Sequence, residues 1–102
     1  MTPDQEEAKR QLLDRLGTAR KAISQASGWV RGLSNDDLKP FGIDIKPEVA
    51  DSMDRIVTQL DEITDMLNGD RISDARGIYR YKYPEWKRYF DLARLLWGNL
   101  NP

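Results

Sequence analysis

The 102-residue sequence contains no cysteine and no histidine. The first absence removes disulfides, thiolate metal sites and cysteine nucleophiles; the second removes the residue used most often as general base and metal ligand. Any catalysis by this chain would have to run on carboxylates, lysine, tyrosine or serine. Gly-rich phosphate loops, nucleophile elbows and metal-protease helices are missing too. A pair such as Asp61 and Asp65 could act as acid and base only in a cleft that raises one pKa, and nothing in the sequence marks such a cleft. The expectation is a non-enzymatic protein without cofactor or metal site. No apolar run approaches the ~18 residues of a membrane span, and residues 1–7 lack the basic and apolar regions of a secretory leader. Together with the absence of cysteine, which suits a reducing compartment, this predicts a soluble, cytoplasmic protein with no membrane contact.

What is present suffices for one folded domain over 1–102. Leu, Ile, Val and Phe number 23, above the roughly one-fifth of residues below which highly charged chains stay disordered. A domain of this size buries roughly 60–70% of its unfolded surface, so few large hydrophobes remain for an apolar ligand pocket.

Hydrophobic spacing predicts an all-α fold. Thr2-Pro3-Asp4-Gln5 is a helix start, with a capping residue, Pro at the first position and Gln at the third. Ala8, Leu12, Leu16, Ala19, Ile23, Ala26, Val30 and Leu33 then fall on one helical stripe. The helix is expected over about 3–30, with Gly28 as its frayed end. Its length of about 40 Å exceeds what a rounded domain of ~13 Å radius of gyration holds, so the bundle should be elongated or the helix broken. A long connector follows, with Ser34 to Asp37 capping one turn and Pro40 and Gly42 as breakers. Its Leu38, Phe41, Ile43 and Ile45 are expected to close the end of the core; the competing reading is a binding loop.

The second helix is expected over 47–67, opened by Pro47-Glu48, striped by Val49, Met53, Ile56, Leu60, Ile63 and Leu67, and stopped by Asn68-Gly69. Its coiled-coil-like heptad spacing fits packing inside one chain or a seam between copies, which leaves a homo-oligomer open. The third stretch, 71–97, keeps a 3/4 rhythm through Ile72, Ala75, Tyr79, Tyr83, Trp86, Phe90, Ala93 and Trp97, with a kink or break expected at Pro84. Ile78 to Tyr83 also alternates with period two, so short extended segments near 43–46 and 78–83 compete with the helix.

The net charge of −1 conceals a division: residues 1–33 carry +2, residues 34–70 carry −7 and residues 71–102 carry +4. On the acidic helix, Asp51, Asp54, Asp61 and Asp65 lie along one ridge. They form either a solvated face paired with neighbouring basic residues or a surface that fills a partner's basic groove. No Asp/Asn/Gly calcium loop accompanies them. In the basic part, seven of the nine aromatic residues fall between Tyr79 and Trp97, interleaved with Arg and Lys. Tyr, Trp and Arg are the residues enriched at the centres of protein interfaces. The candidate partner-binding residues are therefore Tyr79, Arg80, Tyr81, Lys82, Tyr83, Trp86, Lys87 and Arg88. The expected function is stoichiometric binding to another protein or assembly, as adaptor, accessory subunit or inhibitor. Single-stranded nucleic acid is the less favoured partner for the same segment, because no recognition motif accompanies the charge and the rings.

Overall fold

The computed structural model describes residues 2–100. Thr2 and Gln5 form a capping box: the Thr2 hydroxyl accepts from the Gln5 amide at 3.2 Å, and the Gln5 side chain accepts from the Thr2 N–H at 3.0 Å. With these amides satisfied and Pro3 in the first turn, helix α1 runs Pro3–Gly32. Gly28 lies inside it rather than at its end. A Cβ at Gly28 would meet nothing within 4 Å, so the residue lowers helix propensity locally without breaking a helix that packing holds. Ser34 starts α2 (Asn35–Leu38) by accepting from the Asp37 amide at 3.1 Å. A 3-10 turn, Lys39–Phe41, ends at Gly42, whose φ of 76° lies in the left-handed region that glycine enters freely. Pro47 sits in the first turn of α3 (Lys46–Asn68), and a tight turn at Gly69 and Asp70 leads into α4 (Ile72–Leu100).

Among the described residues there is no strand. Ile45 has extended backbone angles, but 43–46 forms no ladder, since the Ile43 amide bonds the Leu38 carbonyl and Lys46 already belongs to α3, and 78–83 is helical. The 3/4 rhythm prevails over the period-two alternation because the helix places Ala75, Trp86, Ala93 and Leu96 in one core, where each is at most 3% exposed. Neither does Pro84 break α4, which stays helical on both sides of it. The ring only removes the hydrogen bond that the Arg80 carbonyl would otherwise accept.

α1 packs most extensively along α3, and α4 packs against both. Lys9–Asp70, Arg20–Asp61, Ser27–Asp54 and Arg31–Asp51 are pairs whose residue numbers add to between 79 and 82, the signature of two straight antiparallel rods in constant register. α4 then returns alongside α1, bringing Trp97 to 5.5 Å from Trp29 between ring centroids. The core is one continuous cluster, with Leu16 and Ile23 from α1 facing Met53, Leu60 and Ile63 from α3. The α3 heptads are thus buried within the chain. Leu38 and Ile43 close one end as expected and Phe41 packs half-buried beside them, but Ile45 is 54% exposed. The outline is elongated, 51 × 26 × 19 Å, with a radius of gyration of 15.2 Å.

Candidate functional site

Helical geometry divides the aromatic-basic segment between different faces of α4. Residues seven apart lie two turns on along one face, whereas residues two apart are about 200° round. Trp86 sits at the centre of the buried face. It is 2% exposed, its indole N–H donates to the Gln59 side-chain oxygen at 2.8 Å, and Tyr79 meets it edge-on at 5.9 Å. Trp86 is therefore a core residue and not a partner anchor. A ring of that size on the inward stripe of the helix is worth more buried than exposed once its N–H has found an acceptor. Tyr79 is half-buried above it, and burial pushes its phenol pKa upward, with the neighbouring Tyr83 hydroxyl adding to the effect.

Tyr81 projects from the outer face, and Arg88 is exposed beside a shallow depression shared with Arg55 and Gln59 of α3. Tyr81 is 80% exposed, with only the Lys82 ammonium over its ring at 5.8 Å, and Arg88 lies over Tyr89 at 5.0 Å. Lys82 and Lys87 are engaged within the helix, by Glu85 at 3.7 Å and Asp91 at 3.0 Å. Of the eight candidate residues, Tyr79, Arg80 and Tyr83 share a depression with α1; Tyr81 and Arg88 do not.

That depression is a groove between α1 and α4. One half, of about 540 Å³, is floored by Ala19, Ala22, Tyr83, Phe90, Ala93 and Trp97, with Asp14, Thr18 and Arg94 among its rim. The other half, reached across Tyr79 and Arg15, is bordered by Arg76 and Arg80. Tyr83, Phe90 and Trp86 form a run of rings at 5.9 and 6.2 Å. The groove exists because α1 presents Thr18, Ala19 and Ala22 where α4 presents large rings, so the two backbones stand apart without side chains to fill the space. The eight candidates leave out Arg15 of α1 and, from the basic residues interleaved with the aromatic segment, Arg76 and Arg94. A signal for two of them was available: Arg76, Arg80, Lys87 and Arg94 recur at 4, 7 and 7 beside the aromatic stripe, which puts them on one ridge.

The acidic ridge has a different fate. Arg31 donates to Asp51 at 3.0 Å and to Asp54 at 2.5 Å, and Arg20 donates to Asp61 at 2.6 Å. The Asp54 carboxylate also accepts from the buried Ser27 hydroxyl at 2.6 Å, and this bond, with Arg31 beside it, holds its pKa below the ordinary value. Among the described residues, Asp65 makes no ion pair. Three of the four ridge carboxylates thus face α1 arginines while staying about half exposed.

The distribution of ion pairs follows from this. Among the described residues, the ion pairs joining two of the long helices run between α1 and α3, while those of α4 stay within α4 or reach Arg71 just before it. Among the described residues, Arg15, Arg76, Arg80 and Arg94 have no carboxylate within 4.0 Å. No three acidic side chains among these residues converge to hold a metal ion, and no helix is long and apolar enough to cross a membrane. Comparison with protein-family models, curated proteins and solved structures found no match to this chain.

Proposed function

We propose that this chain is a non-enzymatic, cytoplasmic protein-binding module that acts stoichiometrically, as adaptor, accessory subunit or inhibitor of a larger assembly, through the α1–α4 groove. The observation that carries the reading is the pairing of partly exposed rings with unpaired arginines along one groove: Tyr83 and Trp97 remain 38% and 42% exposed beside Arg15, Arg80 and Arg94. Aromatic and arginine side chains gathered in a concavity are the usual anchors of protein interfaces. Nucleic acid is served less well by the same surface. Trp86 is buried, Tyr79, Tyr83 and Trp97 each lie against another ring, and Tyr81, the most exposed of the segment's rings, stands apart from the groove.

The test is capture of partners from cell lysate by the immobilised chain, read by mass spectrometry. Tyr83→Ala combined with Arg80→Ala is expected to lose the partner that the unmodified chain captures, while Tyr81→Ala, on the outer face, retains it. Retention by the double variant would place the binding surface elsewhere.

A further inference from the structure

The asymmetry of the groove specifies what it takes. We infer that its occupant is an amphipathic α-helix with apolar anchors at one end and carboxylates at the other. This rests on the groove being the partner surface, and it names the partner's chemistry. The apolar half, around Phe90, Ala93 and Trp97, carries Arg94 and the lone carboxylate Asp14 at its rim; the other half is bordered by Arg15, Arg76 and Arg80. Those arginines have no carboxylate partner within 4.0 Å among the described residues, whereas the basic residues of the α1–α3 seam do. Fixed positive charge beside apolar surface complements an acidic apolar ligand and repels a basic one.

Shape selects the helix. The groove lies between two helices, where a third can set its ridges alongside them, and no sheet edge exists among the described residues to pair with an extended peptide. From Arg76 to Trp97, α4 spans about 30 Å, the length of a helix of about 20 residues. A second copy of this chain is a poor source of such a helix: its acidic helix α3 buries its apolar stripe from Ala50 to Leu67 in its own core.

The experiment is selection from a displayed library of random peptides about 20 residues long, against the full chain, followed by binding of selected peptides by fluorescence anisotropy. The selected sequences should place apolar residues at i, i+3 or i+4 and i+7, and Asp or Glu toward one end. Arg15→Glu and Arg80→Glu, at exposed positions, should each weaken them by about tenfold or more. Ala22→Trp, which fills the apolar half, should abolish binding, with circular dichroism checking the fold. Basic or non-periodic selected sequences, undiminished binding to Arg15→Glu and Arg80→Glu, or failure to select any peptide would overturn the inference. So would a dimer by light scattering that Ala22→Trp dissociates, which would make the occupant a second copy. Binding of labelled single-stranded DNA at about 50 mM salt, lost in Arg80→Glu, would instead assign the arginines to phosphates. If peptide selection fails but the Tyr83→Ala, Arg80→Ala double variant still loses its captured partner, the groove remains the partner surface and only the helical acidic occupant is wrong. If capture too is unchanged in that variant, the surface itself is misassigned.

Discussion

Trp86 and Tyr81 lie five positions apart and answer to different physics. Trp86 is enclosed, with its N–H bonded to Gln59; Tyr81 touches little beyond Lys82. Trp86→Ala should cost about 3–5 kcal/mol, through lost burial and the cavity left behind. Tyr81→Ala should stay within about 0.5 kcal/mol of the unmodified chain, as surface changes usually do. Urea denaturation of the two variants checks this contrast. A second residue-scale prediction concerns Ser27, which is buried and donates to the Asp54 carboxylate. Ser27→Ala removes a hydrogen bond to a charged group and should cost about 1–2 kcal/mol. Because Asp54 has its pKa lowered from 3.8 in the folded state, by Ser27 and by Arg31, the carboxylate supports folding above that value and ceases to as pH falls through its folded pKa. The stability difference between the unmodified chain and Asp54→Asn should therefore shrink as denaturation is measured at pH progressively below 3.8. The ridge holding Asp51, Asp54 and Asp61 was legible in the sequence, but its partners were not. Which arginine meets which carboxylate depends on the register of α1 against α3, and that is set by packing between residues 20 to 41 positions apart in the chain.

At the scale of the element, α4 is the instructive case. Its start and its stripe follow from periodicity, which stops at Trp97 although the helix runs on to Leu100, yet Pro84 and the alternating Ile78–Tyr83 run argue locally against a helix. The conflict resolves only in three dimensions, where Ala75, Trp86 and Ala93 need one continuous face to reach the core. Packing thus carries a proline that propensity disfavours by about 3 kcal/mol. Pro84 is exposed and makes no contact that requires its ring in the core. Pro84→Ala should restore the amide that bonds the Arg80 carbonyl and stabilise the chain by about 1–3 kcal/mol, measured as a rise in Tm. A smaller gain, up to about 1 kcal/mol, is expected for Gly28→Ala, since a methyl group there meets open space one turn before the end of α1. The division of the candidate surface belongs to this scale as well. Read along the chain, Tyr79 to Arg88 is one segment; wound into a helix it becomes a core face, a groove face and an outer face. The groove was hidden for a further reason: half of it comes from Ala19 and Ala22 on another helix, and small residues on an apolar stripe carry no mark of being a wall.

For the whole molecule, the segregated charge acquires a meaning that no single helix has. The acidic middle of the chain lies against the basic residues of α1, and among the described residues the basic last third forms ion pairs only with carboxylates of its own segment. The outline follows from the helix lengths, since three rods of 23 to 30 residues cannot pack into a sphere. A radius of gyration of 15.2 Å exceeds the roughly 13 Å of a rounded domain this long. Small-angle scattering of the monomer should therefore give a value clearly above that of a globular standard of equal mass, with a long-axis dimension near 51 Å. A much larger particle would show that copies associate.

The confinement of interhelical ion pairs to the α1–α3 seam gives the bundle two joints with different sensitivities. Added salt screens exposed pairs such as Arg20–Asp61 and leaves the docking of α4 on its apolar seam untouched or slightly strengthened. Cooling acts the other way, because the attraction between apolar surfaces fades as temperature falls, and among the described residues α4 has no ion pair to the other helices in reserve. Near the freezing point at low ionic strength, the backbone amides of α4 should exchange with deuterium before those buried between α1 and α3.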